Sequence, residues 1–307
     1  MPRLSIIIPF SKDVQQLEES LVSVLENRPR STQVLVVLGD VYKDPYDIKD
    51  EVDFVFASYG ESVVECLNLA LRMATAPVVH VLGCGMQVSP GWTGAPIDLF
   101  QNPNVASVVP CIFDKSHPSR ILSGGVRYRP GSLASRLKCV LNPGSIQLRP
   151  GECFAPDLFG GFYRRDALRR VGGFNASLGP VWGMLDPCLQ LCQLGYETRL
   201  EPASELFAEE AVFHRRPGFR QALEDERFFW RWAAEGGAAK SACIHAFTLT
   251  AETIRGIVRP DRLAAQWAGR LAGAFSADRV VGVEEPTIPF PRRLDVEAGV
   301  ESRRRAA

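Results

Sequence analysis

Apolar residues in the first eighty positions fall into short unbroken runs separated by amphipathic stretches. Leu4-Ser5-Ile6-Ile7-Ile8-Pro9 is β-branched and closed by proline, which predicts a strand buried on both faces. Val14, Leu17, Leu21, Val24 and Leu25 then recur at helical spacing with glutamates between them. Val34–Leu38 and Asp53–Ala57 read as two further strands, followed by a helix carrying Val63, Leu67, Ala70, Leu71 and Ala74 on one face. Val78–Leu82 is the next apolar run, closed by Gly83-Cys84-Gly85. Buried strands alternating with amphipathic helices predict an α/β fold, with a mostly parallel central sheet flanked by helices. Such sheets hold ligands outside the carboxyl ends of their strands, here Pro9–Asp13, Leu38–Asp44 and Leu82–Met86.

Residues 103–158 are rich in Pro, Gly and Arg and read as short strands and long loops. Regular pattern returns at Gly160–Arg165, a strand leading into a helix over Asp166–Val171. Asp186-Pro187 has the form of an N-cap with proline at the first helical position, predicting a helix from there to about Leu194. Strand-like segments 197–201 and 206–213 precede a helix containing Phe228, Phe229, Trp230 and Trp232. Two more helices, at about 240–256 and 260–274, look like an addition to the main domain. The expected organisation is a domain over 1–235, a helical appendage over 236–280 and a disordered tail over 281–307.

Composition narrows the partners. Lys and Arg number 35, as do Asp and Glu, so no overall charge favours nucleic acid, and a phosphate-bearing ligand needs a local site. The eight cysteines are scattered, without a CxxC pair or a compact disulfide framework. Cys188 and Cys192 share a helix face, where buried thiols are a better reading than a metal pair. The first apolar run is too short for a signal-peptide core, and no run reaches membrane-spanning length, so a cytoplasmic protein without a transmembrane segment is expected.

The order of these signals resembles family 2 inverting glycosyltransferases, which have the GT-A fold. Leu4–Pro9, Val34–Val37, Asn68-Leu69-Ala70 and Val78–Leu82 are similar to the first half of that family. Val88-Ser89-Pro90-Gly91-Trp92 resembles its segment after the metal motif, and Ile121–Gly125 its Gly-rich loop. Phe159-Gly160-Gly161-Phe162-Tyr163-Arg164-Arg165, continuing to Gly172-Gly173-Phe174, is the most recognisable piece. Leu189–Tyr196 resembles the acceptor-side helix; Val212-Phe213-His214 and Arg227–Trp232 resemble the closing segment. The resemblance implies a nucleoside diphosphate sugar donor and a glycan or other hydroxyl acceptor. It places Pro9, Asn68, Gly83, Cys84 and Gly85 on the donor side, and Gly160, Gly161 and Trp182 on the acceptor side.

The chemistry departs from that pattern in three places. Family members hold Mg²⁺ or Mn²⁺ with an Asp-X-Asp motif, because a hard cation on a diphosphate wants oxygen ligands. Here that position reads Gly83-Cys84-Gly85, so no metal ligand is assigned; Mg²⁺ or Mn²⁺ would need a non-standard site. The acidic end of the second strand becomes Leu38-Gly39, with Asp40 one step later as either a substitute or a turn residue. The base position falls on Met184 or Asp186 depending on the direction of counting, and Asp186 is the one carboxylate in that segment. Asp186 is therefore the candidate base, and equally a candidate helix cap. His214, Arg215 and Arg216 form a local cationic group suited to a diphosphate, or else a solvated basic turn. Three functions stay open: a transferase working without the usual metal, a non-catalytic relative that binds a nucleotide sugar, glycan or protein partner, and an enzyme that transfers another activated group from a related nucleotide donor.

Overall fold

The computed structural model describes residues 2–10, 13–38, 42, 44, 47–58, 60–128, 135–136, 152–157, 159–213, 218–233, 238–257 and 259–277, with no side-chain description at 135, 136, 238, 240 and 255. The N-terminal alternation folds as expected: β1 (Leu4–Pro9), α1 (Val14–Asn27), β2 (Thr32–Leu38), β3 (Asp53–Phe56), α2 (Val63–Met73) and β4 (Val78–Val81). These four strands are parallel and lie in the order β3-β2-β1-β4. The order reverses between β1 and β4, opening a crevice at their carboxyl ends. Asp13 caps α1 by accepting from the Gln16 N–H, and a Ser62–Glu65 capping box starts α2.

Beyond β4 the sheet becomes mixed. β11 (Phe162–Arg164) runs antiparallel between β4 and β6 (Val105–Asp114), and β12 (Glu197–Ala208) runs parallel to β6. The two-residue β5 (Gln87–Val88) closes that edge, and β7 (Ile121–Ser123) pairs with β6. A small antiparallel sheet joins β8 (Val126–Tyr128), β9 (Ser135–Arg136) and β10 (Cys153–Ala155).

The stretch expected to be short strands and loops thus contributes the ten-residue β6 to the centre of the main sheet. Pro110 obscured it, since proline withholds a ladder N–H. The partner strand absorbs that loss: β12 shifts register between Glu201 and Glu205, opposite Pro110 and Cys111. The two strand segments read at 197–201 and 206–213 are therefore one strand with an irregularity, and Glu210–Phe213 is a 3-10 turn.

The remaining helices are α3 (Gly94–Leu99), α4 (Arg165–Arg170), α5 (Gly179–Gln193), α6 (Phe219–Trp232), α7 (Ala238–Gly256) and α8 (Pro260–Phe275). α8 lies against α6 at very close range. A Cβ added to Gly269 would stand 2.1 Å from the Phe219 carbonyl oxygen, and one at Gly273 would stand 2.7 Å from that of Leu223. Polar groups fill the same seam. The buried Glu226 carboxylate accepts from Arg270 Nη1 (2.9 Å), Trp230 Nε1 (2.7 Å) and His245 Nε2 (2.9 Å), which ties α6, α7 and α8 together. Burial opposes ionisation of Glu226, yet its hydrogen bonds to His245, Arg270 and Trp230 and the charge of His245 hold its pKa below the usual carboxylate value. Because the obstacle at Gly269 is backbone, Gly269→Val is expected to cost about 1–3 kcal/mol in urea unfolding.

His80, read against an otherwise apolar strand, is in the core. It stacks on Phe162 with ring centroids 3.9 Å apart, and its Nδ1 lies 3.1 Å from the Gly161 oxygen. Burial pushes its pKa down to about 3, so the folded protein keeps it neutral while the unfolded chain takes a proton below about 6.5. Stability from this group is therefore complete above pH 6.5 and is lost as pH falls toward 3, at about 1.4 kcal/mol per pH unit. His80→Leu is expected to flatten the acid limb of stability measured against pH over that window.

Candidate functional site

At the tips of β1 and β4 the Gly83-Cys84-Gly85 turn meets the start of α1. The Gly83 N–H donates to the Phe159 oxygen (2.8 Å), and Gly85 N donates to the Gln16 oxygen (3.1 Å) and to Ser20 Oγ (2.9 Å). Gly85 has φ +85°, and a Cβ there would press on Gln16 Oε1 at 3.0 Å. Both glycine N–H groups are thus spent within the protein, and the turn is fastened to α1. Cys84 Sγ is turned to the Asp13 carbonyl at 4.0 Å, while Asp13 Oδ1 caps Gln16. With no carboxylate in the turn and Asp13 committed to the helix, the described residues do not fit an Mg²⁺ or Mn²⁺ site of the kind the fold implies. Among the described residues, no three His, Cys, Asp or Glu side chains gather as a metal would require.

The opposite wall is the segment leading into β11. Phe159 adopts φ +53°, an uncommon conformation for a side chain of its size, where its carbonyl holds Gly83. Beside it, buried Asp157 accepts from Ser123 Oγ at 2.6 Å, and Ser123 Oγ in turn accepts from Gly125 N at 3.1 Å. This joins the Gly-rich loop to the Gly160-Gly161 segment. The sequence reading passed over Asp157; its one local signal is Pro156-Asp157 just before the Phe159-Gly160-Gly161 motif. The two acceptor-side glycines are close-packing positions: a Cβ on Gly160 would meet Ile112 Cδ1 at 2.9 Å, and one on Gly161 would meet Pro156 Cβ at 2.5 Å.

Other parts of the recognisable motif also serve packing. Arg164 donates to the carbonyls of Val105, Phe100 and Asn102, and Arg165 to those of Ala74 and Thr75. These guanidinium groups close the ends of α2 and α3. Asn68, expected on the donor side, instead clamps the Gly173-Phe174 turn: Nδ2 donates to the Phe174 oxygen (2.7 Å), and Oδ1 accepts its N–H (2.8 Å).

Asp186 differs most from expectation. It does not open a helix. α5 begins at Gly179, two turns earlier, and Pro187 lies inside it. The carboxylate is 0% exposed and has four donors. Oδ1 accepts from Arg231 Nε (2.6 Å) and Trp232 Nε1 (2.8 Å), and Oδ2 from Gln190 Nε2 (2.9 Å) and Asn175 Nδ2 (3.2 Å). Both oxygens are occupied, leaving none to receive a proton from an acceptor hydroxyl. Met184, the other position for a base, is buried and has no basic atom. Trp182, expected on the acceptor side, stacks on Phe228 with centroids 4.3 Å apart and donates to Asp225 Oδ1. Pro9 ends β1 at the crevice, whereas Asp40, His214, Arg215 and Arg216 lie outside the described residues.

A groove of about 760 Å³ runs along the outer side of α1 beside β5, lined by Glu18, Glu19, Glu26, Ser23 and Phe207. Lys115 donates to Glu19 at 2.9 Å and holds its pKa below the usual value, so that carboxylate is ionised. Three glutamates give this groove the wrong sign for a diphosphate. The crevice at β1 and β4 is the better candidate.

No family model and no curated protein matches the chain. Solved structures do. A crystal structure of GalNAc-T7 with UDP, GalNAc and Mn²⁺ aligns at TM-score 0.56 and 13% identity, covering 77% of this chain. The alignment takes in 51% of that protein, so this chain spans about half its length. The mannosyltransferase PcManGT from Pyrobaculum calidifontis, in complex with GDP-Man and Mn²⁺, aligns at TM-score 0.47 and 16% identity, over 98% of this chain and 80% of that one. The fold is that of the GT-A glycosyltransferases.

Neutralising Asp186 would leave Arg231 without its counter-charge in a nearly closed space. Asp186→Asn is expected to lower unfolding free energy by about 3 kcal/mol, measured by urea titration.

Proposed function

We propose that this chain is a glycosyltransferase-like protein of the family 2 type that binds a nucleoside diphosphate sugar in the β1/β4 crevice, without the usual divalent metal, and does not transfer the sugar. The observation that carries the proposal is the enclosure of Asp186. An inverting transfer needs a carboxylate within hydrogen-bond reach of the acceptor hydroxyl, and the one carboxylate of this segment faces four protein donors.

Retained binding is supported by what surrounds the crevice. It lies at the switch in strand order, where open α/β sheets hold their ligands. GalNAc-T7, which shares the fold, carries UDP, GalNAc and Mn²⁺ in its structure. In place of a metal, we assign the diphosphate to His214, Arg215 and Arg216, and the base-side contact to Asp40. Guanidinium groups offset phosphate charge without requiring oxygen ligands.

Calorimetry with UDP, GDP and dTDP, with and without Mn²⁺, tests the reading. Binding of one nucleotide unchanged by Mn²⁺, and weakened about tenfold by Arg215→Ala with Arg216→Ala, is the expected result. Tight binding that depends on Mn²⁺ overturns the metal-free site. Release of free nucleotide from a sugar donor on adding an acceptor overturns the non-catalytic assignment. Absence of nucleotide binding removes the donor reading altogether.

A further inference from the structure

Cys153 opens β10, and Cys188 and Cys192 lie one turn apart on α5, the helix that packs against β10. All three are free thiols, and all three belong to one apolar cluster. A pair on one helix face thus acquires a third member that only folding delivers.

The three sulfurs are not equivalent. Cys188 is 2% exposed and turned back along its own helix, with Sγ 3.7 Å from the Met184 oxygen. Burial pushes its pKa up to about 12, so it stays protonated. Cys192 is half-buried, one turn further on, and its sulfur and that of Cys153 are hydrogen-bonding partners across the β10–α5 seam. The proton lies with Cys153. Its hydrogen bond to Cys192 and its burial hold that thiol protonated well above the usual range, while the same bond favours the thiolate of Cys192. A partly exposed sulfur that accepts from a more deeply buried thiol divides the pair into a nucleophile and a resolving group.

A metal reading fits less well. Among the described residues, no three His, Cys, Asp or Glu side chains gather as a metal would require. Two adjoining thiols on separate elements suit oxidation instead. A bridge between Cys188 and Cys192 would join consecutive turns of one helix and fasten nothing else. One between Cys153 and Cys192 would fasten the small sheet to α5, the helix that carries Asp186.

We infer that Cys153 and Cys192 form a reversible disulfide on exposure to hydrogen peroxide, pinning β10 to α5. The Cys192 thiolate attacks one peroxide oxygen and the O–O bond breaks. A sulfenic acid forms at Cys192, and the second oxygen takes a proton and leaves as water. The Cys153 sulfur then displaces the sulfenic oxygen, which departs with the Cys153 proton as a second water. Two thiols and one peroxide give one disulfide and two waters, and a dithiol reductant restores the thiols. The inference is independent of the nucleotide site, since neither sulfur is assigned to a ligand there.

Peptide mapping of the full folded chain tests it, after hydrogen peroxide in slight excess and alkylation of the remaining thiols. A linked peptide joining Cys153 to Cys192, lost on adding dithiothreitol, is expected. The oxidised form should unfold at a temperature about 5 °C higher than the reduced form. In Cys153→Ser, oxidation of Cys192 should stop at a sulfenic acid that dimedone traps. Mapping of the unsubstituted chain needs no variant, so its result stands whether or not the serine form folds. A bridge that takes Cys139, Cys188 or Cys243 in place of either partner overturns the proposal. So does a pair that stays reduced while exposed Cys243 is oxidised, or a Cys192 that passes to the sulfonic acid with Cys153 intact. An oxidised form that unfolds at the reduced form's temperature overturns the pinning of β10.

Discussion

A single buried carboxylate organises the second half of this protein. Asp186 joins α5 to α6 through Arg231 and Trp232, and to its own neighbourhood through Gln190 and Asn175. Taking a carboxylate and a guanidinium out of water costs several kcal/mol per ion, and their attraction offsets it when the remaining lone pairs are also satisfied. Here they are, which makes the arrangement tolerable and also intolerant of change. The consequence is direct: an oxygen that completes a core network is withdrawn from solvent.

The same withdrawal recurs in the motif that resembles a glycosyltransferase most. Arg164 and Arg165 terminate helices, Asn68 holds the Gly173-Phe174 turn, and the Gly160-Gly161 pair makes room for Ile112 and Pro156. These residues keep the sheet and its covering helices in place around the crevice. The Gly83-Cys84-Gly85 turn belongs to that frame as well, since its N–H groups are bonded to Phe159, Gln16 and Ser20. What is left at the crevice is the carboxyl ends of β1 and β4, with Phe159 at positive φ beside a hydrogen-bonded Asp157.

The helices at the end of the chain are attached by a similar economy of space. Glycines bring α8 against α6, and Glu226 gathers Trp230, His245 and Arg270 into one network. Polar groups used inside the seam leave apolar ones for the outside. Packing and surface character are therefore linked: the face that docks is small and polar, and Phe247, Ile254, Leu271 and Phe275 are left exposed.

Periodicity alone determined the first four strands and two helices, because a fully buried strand and an amphipathic helix each repeat within a few residues. It also determined the two closing helices, and the absence of carboxylates at Gly83 to Gly85 is a matter of composition at one place. Tertiary structure decided the rest. β6 was hidden by Pro110, whose missing hydrogen bond is accommodated by a shift in a strand ninety residues away. Asp186 next to Pro187 has every local mark of a helix start, yet α5 begins at Gly179. Partners outrank local preference here: Arg231 and Trp232 lie more than forty positions along the chain, and only folding brings them to the carboxylate.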